Sequence, residues 1–254
     1  MNLKDIAPSV IKAAYDAGQI ILKYYANPGA YDHKTTIKDD GSPVTAADIA
    51  ANNLIVERLA ALTPTIPIVT EESSYPDVKP GEDFWLVDPL DGTKQYVDRT
   101  GEFTVNIALI RDRRPVLGAI YVPTHDRMFI GYDGVASTGR TKTTNEIIKG
   151  RTVPPIGLSA IYGRREKVEK ELAFALPAPI YSQHYLASSL KFCLVAQGRY
   201  DVYIRRDPSY EWDTAAGQAI VEAAGGRVVN ADGQPLEYQK PDWLNPGFVV
   251  MGKK

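Results

Sequence analysis

Apolar residues recur every three to four positions through DIAPSVIKAAYDAGQIILKYY, residues 5–25, and predict an opening amphipathic helix. A polar, turn-prone stretch follows, YDHKTTIKDDGSPVTAAD, broken by Gly41 and Pro43. Thr45 then stands where an N-cap belongs, with Asp48 three residues on, opening a helix that runs to about Leu62. TIPIVT (65–70) and FWLVD (84–88) are short apolar runs, read as strands that both end in acids. FTVNIALI (103–110) and VLGAIYV (116–122) flank the charged turn RDRRP as a hairpin, and MFIGY (128–132) extends the same sheet. From about residue 150 the pattern turns α/β: ELAFAL, a helix in SLKFCLVAQG (189–198), the strand DVYI and a helix over 213–226 closed by paired glycines. RVV and GFVV supply late strands. No internal repeat or flexible linker separates the halves, 1–150 and 151–254, so one compact body of mixed α/β class is expected.

With 254 residues, 44% hydrophobic and 24% charged, the chain has the proportions of an ordinary globular protein. A formal net charge of −2 gives no basic surface for nucleic acid, so any nucleotide is handled in a pocket. The single cysteine, Cys193, sits among apolar neighbours and is read as a buried, inert thiol. Neither a signal sequence nor an apolar run long enough for a membrane span is evident, which suggests a cytoplasmic protein; loose membrane association is left open.

The acids change the picture. Asp88 and Asp91 follow a strand that is hydrophobic to its end, Glu71 ends another, and each stands where a strand hands over to a loop. Gathered carboxylates need a counter-ion, and hard divalent cations take such oxygens. Pro89 fixes the chain so that Asp88, the Leu90 carbonyl and Asp91 can face one centre. Asp213, at the start of a helix after Trp212, either caps that helix or adds a carboxylate from the far half. Gly92 and Thr93, opening a short helix at TKQYV, offer backbone N–H groups suited to a phosphate. The combination points to metal-assisted phosphoryl hydrolysis. No Walker-type loop and no GxGxxG appears, so NTPase and dinucleotide chemistry are unsupported.

With Glu71-Glu72, DPLDGT (88–93) and WDTAAG (212–217) in place, the sequence resembles the inositol monophosphatase superfamily of magnesium-dependent, lithium-sensitive phosphatases. DGSPVTAADIAANNLI, GEFTVNIALI, SSLKFCLVAQG and LNPGFVV resemble its bacterial 3′(2′),5′-bisphosphate nucleotidases most, over nearly the whole chain. The resemblance implies a layered α-β-α-β-α sandwich and two to three Mg²⁺ ions. Glu71, Asp88 and the Leu90 carbonyl would hold the first ion, and Asp88, Asp91 and Asp213 the second, with Glu71 near a weaker third. Asp48 and Thr93 would orient the attacking water, and Gly92 and Thr93 would hold the scissile phosphate. Ser188, Ser189 and Lys191 would line the nucleotide pocket; Lys191 reads equally as a surface lysine on an amphipathic helix. His33, His125 and His184 find no place in this scheme. The S-R-S-H-like stretch expected ahead of SSLKFC is replaced by GLSAIYGRREKVEKEL, of which Ser159 alone matches, and Ala187 stands in place of a glycine. The implied activity is removal of the 3′-phosphate of adenosine 3′,5′-bisphosphate, giving AMP in sulfur assimilation, by a protein that is often dimeric. Inositol phosphates, fructose 1,6-bisphosphate and a dinucleotide phosphate remain alternatives, as does a silent phospholigand-binding regulator.

Overall fold

The computed structural model describes residues 1–27, 36–37, 43–73, 78–79, 81–140, 145–164 and 176–253. Helix α1 (Leu3–Ala26) opens on Asn2, whose side chain accepts from the Lys4 N–H, and α2 (Ala46–Leu62) opens on Thr45. Between them the pair β1 (Thr36–Ile37) and β2 (Pro43–Val44) lies in the turn-prone stretch. Residues 28–35 and 38–42, which include His33 and Gly41, lie outside the described residues.

Seven strands form the first sheet, in the order β3 (Ile68–Thr70), β4 (Phe84–Asp91), β5 (Thr104–Arg111), β6 (Arg114–Val122), β7 (Arg127–Tyr132), β8 (Val135–Arg140) and β9 (Glu146–Ile147). Only β3 and β4 pair in parallel. The β5–β6 turn is two residues, Asp112 and Arg113, both at positive φ, the geometry whose twist suits a tight hairpin. Alternation along the strands splits the core in two. Trp85, Val87, Ile107, Leu109 and Tyr121 pack under α1 and α2. Phe84, Leu86, Ala108, Ile110 and Ile120 face the opposite way.

That second face is covered by α4 (Leu190–Ala196) and α5 (Glu211–Ala223), and beyond them lies a five-stranded sheet. Its order is β11 (Ile180–Leu186), β10 (Leu158–Gly163), β12 (Val202–Arg205), β16 (Phe248–Met251) and β14 (Arg227–Asn230). The short pair β13 (Ser209–Tyr210) and β15 (Leu244–Asn245) sits apart, just ahead of α5. Glycine lets α5 lie against the first sheet: a Cβ on Gly118 would fall 2.2 Å from the Ala216 carbonyl oxygen. Among the described residues the layers therefore run α-β-α-β, four of the five expected, and a third core, with Leu158, Tyr162 and Val249, lines the far face of the second sheet.

Several sequence expectations shift. Helix α5 starts two residues earlier than its pattern suggests, so Asp213 lies within the first turn rather than at the start. Strands β8, β10 and β11 were hidden: β10 is buried nearly throughout and shows no alternation, while β11 exposes most of its residues. Residues 165–175, which hold the rest of the unmatched stretch and most of ELAFAL, lie outside the described residues.

Candidate active site

The strand β4 carries the first two acids. Asp88 and Asp91 are an odd number of residues apart, so an unbroken strand would send them to opposite faces. Asp88 pairs with Asn106 but Asp91 with Thr104, a one-residue bulge at Pro89–Leu90. The bulge brings both carboxylates to one side, where Asp213 joins them from α5. One oxygen from each of Asp88, Asp91 and Asp213 lies within 4.8 Å of the others. Glu71 borders the group through a hydrogen bond with Asp88, and its own N–H reaches the Val87 carbonyl at 3.1 Å.

These charges are uncomfortable together. Burial chiefly, with Glu71, Asp91 and Asp213 adding, holds the Asp88 carboxyl well above the ordinary carboxylate range. Burial likewise raises Asp213, with Asp91 and Glu71 adding and Arg205 opposing. A cluster of hard oxygen donors that repel one another, one of them already bonded to its own turn (Leu90 N–H to Asp88 Oδ1, 3.0 Å), fits a divalent cation.

Beside the acids stands a second arrangement. Gly92 takes φ +93°, and a side chain there would press within 2.8 Å of the Glu102 carbonyl, so only glycine suits the turn. It opens the short helix α3 (Thr93–Val97). The Thr93 hydroxyl lies 3.2 Å from Asp48 Oδ1 and 3.0 Å from the Leu90 carbonyl. Asp48 has two tasks, one for each oxygen. Its Oδ2 accepts from the Thr45 N–H (2.8 Å) and the Thr45 hydroxyl (2.6 Å), closing a capping box, while Oδ1 meets Thr93. Burial pushes the Asp48 carboxyl up to about 7; the Thr45 hydrogen bonds pull it down, and Glu72 and Glu71 push it up further.

A cavity of about 320 Å³ adjoins Asp91 and Gly92. Lys94, Arg164, Lys191 and Arg205 are among its lining residues, with Ala187, Ser188 and Asp207. Lys191 is not the surface lysine that its helical position allowed: it is 3% exposed, its ammonium 2.5 Å from the Ser188 carbonyl and 5.0 Å from the Tyr203 ring. The stripe that looked like an exposed face packs against the second sheet instead. Ser188 holds a left-handed φ of +58° and is half-buried, whereas Ser189 is 2% exposed and bonded to Asp91. Arg164 pairs with Glu102, which also accepts the Ala187 N–H at 3.0 Å, and this pairing holds the Glu102 carboxyl low. Arg164 and Arg205 escaped sequence reading because Arg164 follows β10 and Arg205 ends β12, and neither lies in a legible motif.

Ser159 sits elsewhere. It lies near the opposite end of β10 from Arg164, its N–H held by Asp201 at 2.7 Å and its hydroxyl by Ser182. His125 is exposed beside Thr124, His184 is exposed and packs on Tyr200, and Cys193 is fully buried, its thiol raised by burial. Among the described residues no helix is long and apolar enough to cross a membrane.

Comparison with known proteins places nearly the whole chain in one family. The family model described as "Inositol monophosphatase family" matches residues 2–252. The 3′(2′),5′-bisphosphate nucleotidase CysQ of Salmonella typhimurium is 40% identical over 95% of this chain and 97% of its own length. That of Escherichia coli K12 is likewise 40% identical, with the same coverage. The crystal structure of CysQ from Bacteroides thetaiotaomicron, a bacterial member of the inositol monophosphatase family, superposes with a TM-score of 0.80 at 34% identity, covering all of both chains. An inositol monophosphatase from Anabaena gives 0.77 at 28%, covering this chain fully and 92% of its own.

Proposed function

Since this chain belongs to the inositol monophosphatase family of magnesium-dependent phosphatases, we propose that it removes the 3′-phosphate of adenosine 3′,5′-bisphosphate, giving AMP and phosphate. The observation that carries the substrate is the cavity beside Asp91 and Gly92, where Lys94, Arg164, Lys191 and Arg205 supply four cations. A monophosphate at the carboxylate site brings no second charge to this cavity, whereas a bisphosphate brings a second phosphate to its four cationic side chains.

In this reading Glu71, Asp88, the Leu90 carbonyl, Asp91 and Asp213 hold two Mg²⁺ ions, with a third near Glu71. When bound, Mg²⁺ supplies Lewis-acid stabilisation of charge on the phosphoryl oxygens. The chain's own groups do the positioning. Gly92 lets the backbone of the α3 turn approach the scissile phosphate. Thr93 Oγ accepts a hydrogen bond from the attacking water and donates its own proton to Asp48 Oδ1, which fixes the water's lone pair toward phosphorus. Asp48, raised to about 7, is basic enough to share that proton near neutrality. The cationic cavity binds the phosphate that is not cleaved, and so spends affinity away from the reacting centre on alignment. A cytoplasmic, dimeric enzyme is part of this reading.

The test is phosphate release with Mg²⁺ from adenosine 3′,5′-bisphosphate, its sulfated relative, inositol 1-phosphate and fructose 1,6-bisphosphate, with EDTA as control. The highest kcat/KM is expected for the adenosine bisphosphate. Preference for inositol 1-phosphate would overturn the substrate, and no release from any of the four would favour a silent binder.

A further inference from the structure

Ser189 resembles a substrate contact in sequence, yet its polar atoms are turned to other work. Its N–H lies 2.5 Å and its hydroxyl 2.6 Å from Asp91 Oδ2. The same hydroxyl is 2.7 Å from the backbone carbonyl of Asp213, and accepts from Asn106 Nδ2 at 3.0 Å. Asn106 Nδ2 and the Thr104 hydroxyl also approach Asp91 Oδ2, each at 3.4 Å. Every hydrogen bond to the Asp91 side chain among the described residues therefore ends on Oδ2, and Oδ1 is left for a cation.

We propose that Ser189 is a positioning residue for the metal-binding carboxylates, tying Asp91 on β4 to the turn of α5 that carries Asp213. The physical case rests on geometry and burial. Asp91 and Asp213 come from different elements, β4 and α5, and their oxygens must sit within 4.8 Å although their charges repel. A carboxylate oxygen that accepts the Ser189 N–H, and shares the single hydroxyl proton with the Asp213 carbonyl, is held in place when the cation is absent. The backbone link to Asp213 sets where α5 begins relative to that pinned group. At 2% exposure the hydroxyl, already committed to these partners, has little left to offer a nucleotide. Half-buried Ser188, its neighbour, is left as the serine that meets substrate.

The inference rests on the reading that Asp88, Asp91 and Asp213 hold Mg²⁺, and the experiment separates the two. Mg²⁺ alone is titrated calorimetrically into metal-free parent, Asp91→Asn, Ser189→Ala, Ser189→Thr and Ser188→Ala. KM for adenosine 3′,5′-bisphosphate is then measured at saturating Mg²⁺. Ser189→Ala keeps the N–H but loses the hydroxyl, and should weaken Mg²⁺ binding about 10–100-fold. Its KM at saturating Mg²⁺ should stay near the parent's, Ser189→Thr should recover affinity, and Ser188→Ala should change KM instead. Unchanged Mg²⁺ affinity with a raised KM in Ser189→Ala overturns the proposal and returns Ser189 to the substrate. If Ser189→Ala does not fold, Asn106→Ser, which loses the amide donor to the same hydroxyl, is titrated; weaker Mg²⁺ binding supports the proposal, and parent-like binding overturns it. A parent that binds Mg²⁺ no better than Asp91→Asn would instead sink the metal assignment itself.

Discussion

Asp48 is both a helix cap and the partner of Thr93, and one substitution separates the two tasks. In Asp48→Asn the side-chain oxygen can still accept from the Thr45 N–H and hydroxyl, so the cap loses about 1 kcal/mol at most. The amide nitrogen then faces Thr93, where Oδ1 now lies at 3.2 Å. It donates to the hydroxyl instead of accepting from it, and the Thr93 proton is left to the Leu90 carbonyl at 3.0 Å. The water loses its alignment, and kcat should fall about 10²–10⁴-fold with KM little changed. Stability should move the other way. The rise of the Asp48 carboxyl from an ordinary 3.8 to about 7 corresponds, at about 1.36 kcal/mol per pH unit, to about 4 kcal/mol of destabilisation when it is ionised above pH 7. Asparagine carries no charge, so the metal-free variant should be more stable than metal-free parent at pH 8. Phosphate release under saturating Mg²⁺ and thermal unfolding in EDTA measure the two effects. Thr93→Val should lose a similar factor in kcat, and the double mutant should be scarcely worse than either single one, because the pair acts as a unit. Additive losses, or Asp48→Asn that is less stable in EDTA yet turns over normally, would show that capping is all Asp48 does.

Asp91→Asn should abolish turnover and raise the melting temperature in EDTA, because Asp91 is one of the charges that push Asp88 and Asp213 up; near-parental kcat at saturating Mg²⁺ would refute its role as a ligand. Lys191→Ala should raise KM for the bisphosphate about 10-fold or more and leave KM for inositol 1-phosphate unchanged, since only the former brings a second phosphate. Loss of its 2.5 Å bond to the Ser188 carbonyl should also lower the melting temperature, which a surface lysine would not do. Asp48, Asp88 and Asp213 all bind a proton more tightly folded than unfolded. Between pH about 4 and 7 the native state thus holds more protons, and the stability of the metal-free protein should fall as pH rises; denaturant unfolding in EDTA should show this, and Mg²⁺ should flatten it.

The local chemistry was legible in the sequence. The Thr45–Asp48 capping box, the glycine turn into TKQYV and the hairpin at RDRRP are signals carried by a few adjacent residues, and each recurs in the structure, whereas the strand expected to end at Asp88 runs on to Asp91. The family follows from the same short stretches, because a site built on strand ends and helix starts leaves its mark in contiguous residues. Other features depended on what lies opposite. Asp88 and Asp91 share a side only because β5 opposes them with one residue fewer, and a bulge is a property of two strands, not of one. Lys191 is buried because the second sheet closes over its helix, and Ser189 turns to Asp91 because residues 98 apart in sequence meet there. Arg164 and Arg205 reach the cavity from strands β10 and β12, which pair in parallel side by side. Propensity and periodicity act over a turn or two of chain, whereas the partners that decide burial and charge at this site are supplied by packing across layers.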